Sequence, residues 1–433
     1  MTTMRMSDDA LSITFTTAER VAGLLQDQHI PLASVRAVEV VPDGLEAARG
    51  LRAPGFALPG RRKIGTWRSR AGTSLVAVRG HRPAVRLTVH GQRYATLLIT
   101  TDTPEELAAS LSRHAADRSG HTSARPPAEH AVTFTSGQHT LAGSLTIPPG
   151  EGPFPAVLLL PGSGPIDRNS HHKRMPLGIT GQLATALDAA GLATFRYDKR
   201  GVGASTGRWH AAGFSDNRDD AAAALQLLLT HPEVDPARVI VLGHSEGALH
   251  AAGLAADGAT IAGLVLLSCS ALPGEALLRW QSAQIAPTLP TPVRVLLRLL
   301  RTDLQARTAK THDKIKATTT DEARIEGVKV NARWHREFMA HDPRTDLARI
   351  AVPVLAVTGG KDLQVPAADL AQIRELVPAP VETHEIADLS HILRAQPGPA
   401  SLSGYKQEMR QPVDTGLVDL VVGWVSARVG VTR

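Results

Sequence analysis

Mainly apolar segments alternate with amphipathic segments between residues 154 and 268. The apolar segments are residues 154–160 (FPAVLLL), 192–198 (LATFRYD), 238–243 (RVIVLG) and 261–268 (IAGLVLLS), and apolar residues recur at helical spacing between them. Strands that are apolar on both faces and are separated by helices form a parallel sheet with helices on both sides. This part of the chain therefore predicts an α/β fold.

A G-x-S-x-G motif, GHSEG, places Ser245 between a strand-like segment and the helix-prone segment ALHAAGLAA. A nucleophilic serine at such a junction occupies a sharp turn, where Gly243 and Gly247 avoid steric clashes and the helix N-terminus favours negative charge. A second match, GASTG, surrounds Ser205 but follows a loop instead of a strand. We therefore predict Ser245 as the nucleophile and Ser205 as a loop residue.

A nucleophilic serine needs a base that is oriented by an acid. Asp362 directly follows the strand-like segment VPVLAVTGG, and His391 follows the next one, VETHEIAD. The carboxyl ends of parallel strands meet at one edge of the sheet, so both residues are expected near Ser245. His384, inside the second segment, is interpreted as structural, and Asp388 as a turn residue, although it could also orient His391.

An oxyanion intermediate needs two backbone N–H donors. One is predicted at Glu246, directly after the nucleophile, and the other at Ser163 in the loop PGSGP, with Gly164 as the alternative. The adjacent residues His171 and His172 lack companion ligands at metal-binding spacing, so no metal site is expected. No cofactor is expected either.

Taken together, these motifs resemble the α/β-hydrolase superfamily, specifically its bacterial esterase and serine-aminopeptidase-like branch. The matching segments occur in the expected order over about residues 131–433: LLLPGSGPIDRN, FRYDKRGVGAST, VIVLGHSEGA, DPRTDLARIAVPVLAVTGGKDLQVP and ADLSHIL. The resemblance implies a nucleophile at Ser245, an acid at Asp362, a base at His391, and oxyanion donors at Ser163 and Glu246. It also implies an α/β-hydrolase fold with a mostly parallel sheet.

The segment of about residues 270–345 interrupts the strand–helix alternation and has helical apolar spacing with many basic residues. Such an insertion resembles a helical cap over the active site, which would shape the substrate pocket. Candidates for lining that pocket are Trp280, Leu296, Leu297, Trp334 and Phe338.

The resemblance implies a serine hydrolase that cleaves a carboxylic ester bond in a small ester or acyl substrate through an acyl-enzyme. A thioesterase or an aminopeptidase would use the same three residues. The basic cap argues against an aminopeptidase, which needs acidic groups for the substrate amine. An alternative from another class is a membrane- or partner-binding module with an inactive hydrolase domain.

Residues 1–118 contain short β-rich segments followed by a helix that starts near Pro104. We interpret them as a small domain with an antiparallel meander and a C-terminal helix, which weakly resembles a bacterial pleckstrin-homology-like domain. The polar residues 119–130 predict a linker to a hydrolase domain at 131–433.

The stretch from Arg49 to Arg93 contains no Asp or Glu. It predicts either contact with an anionic surface or a solvated strand face in an Arg-rich protein. Nucleic acid is not an expected partner, because the stretch has few aromatic residues to stack on bases.

The chain has a single cysteine, Cys269, within an apolar segment, where a buried inert thiol is expected. One cysteine cannot form an intrachain disulfide, so nothing indicates an oxidising compartment. The N-terminal residues include acidic side chains where a signal peptide needs an apolar stretch. A cytoplasmic location is therefore expected.

Overall fold

A computed structural model describes residues 2–7, 10–58, 60–69, 72–89, 94–118, 128–172, 175–285, 288 and 303–431. The chain divides into two compact units, Met1–Ser123 and Ala124–Arg433. Most of the predicted linker lies outside the described residues. Its last three residues, 128–130, differ from the prediction because they pair with a neighbouring strand.

The first unit is β-rich and contains two sheets and a C-terminal helix. Its strands are β1 Thr3–Met6, β2 Ala10–Thr14, β3 Gln28–Pro31, β4 Val35–Val41, β5 Leu51–Leu58, β6 Arg62–Ser69, β7 Gly72–Arg79, β8 Ala84–Val89 and β9 Thr96–Ile99. Its helices are α1 Thr17–Gly23, α2 Gly44–Ala47 and α3 Pro104–Arg118, with a 3₁₀ turn at Leu32–Ser34. The strand order is β1-β2-β3 in the smaller sheet and β4-β8-β9-β7-β6-β5 in the larger one.

The predicted antiparallel meander is wrong, because β9 lies between β8 and β7 and runs parallel to β7. The sequence of β9, TLLI, is apolar on both faces, and Leu97 and Leu98 are buried in two different clusters. A strand of this kind is stabilised in the middle of a sheet, where both faces are covered. The resemblance to a pleckstrin-homology-like domain rested on a meander and stays a prediction.

The second unit has the predicted α/β-hydrolase fold. Its strands are β10 Ala128–Ser136, β11 His139–Ile147, β12 Phe154–Leu160, β13 His171–His172, β14 Met175–Pro176, β15 Ala193–Tyr197, β16 Val234–His244, β17 Gly263–Leu267, β18 Glu322–Ile325, β19 Val328–Asn331, β20 Val354–Gly359 and β21 Val381–Ile386. Eight of them form one sheet in the order β10-β11-β15-β12-β16-β17-β20-β21. The pairs β10–β11 and β11–β15 are antiparallel, and the remaining pairs are parallel.

Helices cover both faces of this sheet. The described helices of this unit are α4 Ile179–Ala189, α5 Phe214–Leu229, α6 Glu246–Ala256, α7 Gly274–Ile285, α8 Leu304–Lys316, α9 Ala332–Ala340, α10 Pro343–Leu347, α11 Asp369–Leu376, α12 Tyr405–Glu408 and α13 Thr415–Val429, with 3₁₀ turns at Trp209–Ala211 and Leu402–Gly404. Apolar residues of α5, α6 and α11 pack on one face, and those of α4 and α13 pack on the other. Two buried cores therefore hold the strands in place from both sides.

The insertion between β17 and β20 contains the helices α7 to α10, in agreement with the predicted helical cap. It also contains the antiparallel hairpin β18–β19, which was not predicted. The hairpin turns at Glu326 and Gly327, which both have positive φ. Short strands of this kind carry only a weak sequence signal beside helical segments. Within the part of the chain that the structure describes, no helix combines the length and apolarity needed to cross a bilayer.

Candidate active site

Ser245 lies at the junction of β16 and α6 with φ +56° and ψ −120°, a conformation that non-glycine residues rarely adopt. A Cβ atom on Gly243 would overlap the carbonyl of Gly247, and one on Gly247 would overlap the carbonyl of Leu160 on β12. The two glycines therefore allow β16 and α6 to approach each other and β12 closely enough to form the turn. The turn exposes the Ser245 hydroxyl at the carboxyl edge of the sheet.

Three predicted residues meet in one hydrogen-bonded row. His391 Nε2 lies 3.1 Å from Ser245 Oγ, while His391 Nδ1 lies 2.8 Å from Asp362 Oδ2 and 3.0 Å from Oδ1. Asp362 follows β20 and His391 follows β21, so the sheet brings together three side chains that are far apart in sequence. The row can move a proton from the serine hydroxyl to the imidazole.

Asp362 is buried, and its Oδ1 also accepts hydrogen bonds from the backbone N–H groups of Gln364 at 2.7 Å and Val365 at 2.9 Å. Burial alone would raise the pKa of this carboxyl. The attraction of the imidazolium that His391 becomes when it is protonated, together with the hydrogen bonds, outweighs burial and holds the pKa of Asp362 below its ordinary value. The ionised carboxylate therefore keeps the proton of His391 on Nδ1, and Nε2 is left to accept the serine proton.

His244, the residue before Ser245, contacts His391 through a hydrogen bond and through its ring. Its Nε2 donates to the backbone carbonyl of His391 at 2.9 Å, and the two ring centroids lie 5.0 Å apart. Burial, followed by the nearby charge of His391, lowers the pKa of His244 to about 3, so its ring is neutral at physiological pH. Sequence reasoning missed this role, because nothing in the motif indicates a partner 147 residues away.

A family model described as serine aminopeptidase, S33, matches residues 173–395, just over half of the chain. The chain belongs to the serine aminopeptidase S33 family. The Thermotoga maritima esterase EstD is 27% identical over 292 residues, and this match covers 66% of the chain and 65% of EstD, slightly less than two thirds of that relative. The family match and the sheet topology together confirm an α/β-hydrolase.

Solved structures of similar fold include ferulic-acid-bound Est1E of Butyrivibrio proteoclasticus. It has a TM-score of 0.47 and 17% identity, with 69% of this chain and 97% of that chain covered. The proline iminopeptidase of Mycobacterium smegmatis has a TM-score of 0.46 and 16% identity, with 69% and 99% covered.

The competing residues of this S33-family chain lie outside the row. Ser205 is in the loop after β15, where its hydroxyl donates to the Asp198 carbonyl and accepts from the Ala142 N–H. Asp388 forms an ion pair with Lys361 at 2.7 Å. His384 lies on β21 and pairs with its neighbour Glu382.

The predicted oxyanion residues Ser163 and Glu246 line a cavity of about 120 Å³ beside Ser245. A Cβ atom on Gly162 would lie 3.4 Å from the Cβ of Ser245, so the loop after β12 passes close to the nucleophile. Gly164 has a φ of +94°, which gives this loop a sharp turn. The loop and the first turn of α6 therefore lie on either side of Ser245.

The Glu246 side chain is a second feature that sequence reasoning missed. Its Oε1 accepts from Lys199 Nζ at 2.9 Å, Asn217 Nδ2 at 2.9 Å and His250 Nε2 at 3.1 Å, and its Oε2 accepts from the Trp334 indole at 3.0 Å. Burial opposes ionisation, but the charge of Lys199 and the hydrogen bonds lower the pKa of Glu246 to about 2. The carboxylate is therefore ionised and fully occupied.

Two of these donors connect Glu246 to other parts of the site. Lys199 Nζ also donates to the carbonyl of Gly162, in the loop after β12, at 3.2 Å. Trp334 belongs to α9 of the cap and stacks on Phe338, with ring centroids 4.8 Å apart and planes 9° apart. The buried carboxylate therefore connects the loop after β12, α6 and the cap.

The cavity has a mixed lining of six apolar and seven polar residues. Its lining consists of Ser163, Ser245, Glu246, Leu249, Ser268, Ser270, Leu277, Leu278, Gln281, Trp334, Phe338, Gln364 and Val365. Trp334 and Phe338 line it as predicted, whereas Trp280, which lies on α7, packs against the main core instead. The other two predicted lining residues, Leu296 and Leu297, lie outside the described residues.

Proposed function

We propose that the protein is a carboxylic ester hydrolase that works through an acyl-enzyme. Ser245 Oγ attacks the ester carbonyl while His391 Nε2 takes its proton, and Asp362 stabilises the resulting imidazolium. The N–H groups of Ser163 and Glu246 bind the oxyanion. The imidazolium then protonates the leaving alcohol, and water, deprotonated by His391, releases the acid.

The hydrogen-bonded row of Ser245, His391 and Asp362 carries this proposal. Each distance in the row is 3.1 Å or less, and the imidazole contacts the serine through one nitrogen and the carboxylate through the other. This is the arrangement that nucleophilic catalysis by serine requires.

The cavity favours a short acyl group. Its volume of about 120 Å³ is well below the roughly 300–1,000 Å³ of pockets for drug-sized ligands. Six of its thirteen lining residues are Leu, Trp, Phe or Val, which can contact a short hydrocarbon chain. We therefore expect esters of short-chain acids to be turned over faster than those of long-chain acids.

The occupation of Glu246 supports an ester substrate over an aminoacyl one. An aminopeptidase needs a carboxylate for the free amine of its substrate. Among the described residues that line the cavity, Glu246 has the one carboxylate, and it already accepts four hydrogen bonds. An ammonium group in the cavity would have to displace a donor.

The test is hydrolysis of a 4-nitrophenyl ester series by the full-length protein, beside Ser245→Ala. We expect turnover that falls with chain length and disappears in the variant, and a fluorophosphonate probe should label Ser245 only in the parent. Ser205→Ala is the matched control, because Ser205 lies in the second G-x-S-x-G copy outside the row. No turnover together with no labelling would refute the proposal.

We also propose that residues 1–118 form a separate domain that contacts an anionic membrane surface. Seven large apolar side chains are exposed in the described residues, and five of them lie on α1, its C-cap and β5: Val21, Leu24, Leu51, Phe56 and Leu58. β5 is an edge strand of its sheet, and α1 packs against it.

Basic residues lie beside β5 in the chain and in the sheet, since Arg49 precedes β5, Arg61 precedes β6 and Arg68 on β6 lies opposite Leu51. Arg49, Arg61 and Arg68 are exposed, and the described residues form no ion pair with them. Other basic residues between Arg49 and Arg93 have acidic partners, since Arg62 forms an ion pair with Glu19 at 2.6 Å and Arg86 with Glu39 at 2.7 Å. Exposed apolar groups with unpaired cations suit an anionic lipid surface, whereas a second copy would bring like charges together.

Sedimentation of the full chain with phosphatidylserine-containing vesicles tests this contact. We expect binding that weakens with salt and is lost in Leu51→Glu/Leu58→Glu. Val328→Glu is the matched control, because Val328 is an exposed apolar residue of the second unit. The proposal would be contradicted if the double variant sedimented with the vesicles as well as the parent, or if the parent did not sediment with them at all. A concentration-dependent dimer of the parent that is lost in the double variant would instead assign the surface to a second copy of the chain.

A further inference from the structure

Ser268 follows β17 and lines the same cavity as Ser245. Its side chain is completely buried, and its hydroxyl has no hydrogen-bond partner among the described residues. Buried hydroxyl groups are almost always hydrogen-bonded, because removing one from water without a partner is unfavourable. An unpartnered hydroxyl in a substrate cavity therefore indicates a group that a ligand satisfies.

The backbone holds Ser268 in this position. Its φ is +50°, one of the few positive values at a non-glycine residue in the described chain. Its N–H donates to the Val357 carbonyl on β20 at 2.8 Å, and the Ser245 N–H donates to the preceding carbonyl, that of Leu267, at 2.9 Å. Strained conformations persist where the surrounding structure fixes them, and they cluster at functional sites.

Apart from Ser245 and the exposed Ser163, the other polar side chains along the cavity already have hydrogen-bond partners. Ser270 Oγ donates to Asp369 at 2.8 Å, and Gln281 Nε2 donates to the Gln364 carbonyl at 2.8 Å. Gln364 Nε2 donates to the Tyr405 hydroxyl at 3.4 Å, and Glu246 accepts its four donors. Ser268 is thus the buried hydroxyl of the described lining that can still take a hydrogen bond from, or give one to, a substrate.

We propose that Ser268 is a specificity-determining residue whose hydroxyl hydrogen-bonds a polar substituent on the acyl group. The preferred substrates are then short esters with a hydroxyl or carbonyl oxygen near the scissile carbonyl, and hydrocarbon esters of the same shape are poorer. This inference rests on the proposed ester hydrolysis. We assign the cavity to the acyl group because that group stays bound to Ser245 while the alcohol must leave.

The experiment compares isosteric 4-nitrophenyl esters with the full-length protein. One pair is 3-hydroxybutanoate and 3-methylbutanoate, and the other is 2-hydroxypropanoate and 2-methylpropanoate. A hydrogen bond made in the transition state should favour the hydroxy ester of at least one pair by about tenfold in kcat/KM. In Ser268→Ala this ratio should fall to about one, since the hydroxyl that distinguishes the two esters is gone.

Ser270→Ala is the matched control, because Ser270 lines the same cavity but its hydroxyl is held by Asp369. The ratio should persist in this variant. Ester turnover with a ratio near one in the parent, or with a ratio that Ser268→Ala leaves unchanged, overturns the role of Ser268 and leaves the proposed hydrolysis standing. Absence of turnover for all four esters, with no fluorophosphonate labelling of Ser245, overturns both.

Discussion

Replacing Lys199 with Met tests the buried charge network beside the nucleophile. The ammonium of Lys199 lies 2.9 Å from Glu246 and 3.2 Å from the Gly162 carbonyl, and both charged side chains are buried. Lys199→Met keeps an unbranched apolar stem and removes the charge. Glu246 then remains buried without its cation, so its pKa should rise from about 2.

Removing one partner of a buried ion pair costs about 3–5 kcal/mol, because the other charge stays uncompensated. The second unit has 310 residues, Ala124–Arg433. A unit of this size has an unfolding entropy of about 0.65 kcal/mol/K. Lys199→Met should therefore lower the Tm of this unit by about 5–8 °C. We also expect kcat to fall more than KM rises, because Gly162 loses the contact that orients the oxyanion loop.

Differential scanning calorimetry of a double-mutant cycle checks this reasoning. Glu246→Gln should also destabilise the protein, because it leaves Lys199 as the uncompensated charge. The double variant Lys199→Met/Glu246→Gln carries neither charge and should be more stable than the sum of the single changes predicts. Arg349→Met is a control, because Arg349 is half exposed and its buried partner Asp346 keeps a second cation, Arg218, at 3.1 Å, so the Tm should change little. Additive effects at Lys199 and Glu246 would refute the coupling.

Three further predictions follow from the site. Asp362→Asn should reduce kcat by about 10⁴-fold, as loss of the acid of a catalytic triad does elsewhere. The measurement is a stopped assay of 4-nitrophenyl ester hydrolysis, and a loss of less than tenfold would contradict the role assigned to Asp362. Gly247→Ala should yield little soluble protein, because its Cβ would overlap the Leu160 carbonyl, whereas Gly423→Ala has free space and should express normally. Burial keeps the pKa of His244 near 3 in the folded protein. Below pH 6.5 the unfolded chain therefore takes up a proton at His244 that the folded chain does not. The free energy of unfolding should fall by up to about 1.4 kcal/mol per pH unit between pH 6.5 and 3. In thermal melts over this pH range, the Tm of His244→Gln should fall less steeply with decreasing pH than the Tm of the parent. Equal slopes of Tm against pH for the two proteins would refute this.

The row of three residues was predictable because each residue follows a strand segment. The strands β16 and β20 are mainly apolar, whereas β21, VETHEI, is a mixed edge strand, but the carboxyl ends of all three lie at one edge of the parallel sheet, and Ser245, Asp362 and His391 each come within a few residues of such an end. Local spacing was enough to select Ser245 over Ser205, since a strand must precede the turn and a helix must follow it. The placement of these residues therefore depends on chain order and not on distant contacts.

The N-terminal unit shows the opposite case. Its strand segments β4 and β6 to β9 were predictable from β-branched and apolar residues, but β9 lies between β8 and β7 because of how both faces of the sheet are covered. That arrangement depends on contacts between strands and not on the order of segments. A pattern of short strands alone could not distinguish it from a meander.

Glu246 explains why part of the site could not be predicted from a motif. Its backbone follows the nucleophile, as the motif indicates, but its side chain contacts Lys199 in a loop after β15 and Trp334 in the cap. In the proposed mechanism, one residue thus places an N–H beside the oxyanion and ties that position to the wall of the acyl cavity. A substitution that moves Trp334 should therefore alter both chain-length preference and kcat, because the two properties share the same buried carboxylate.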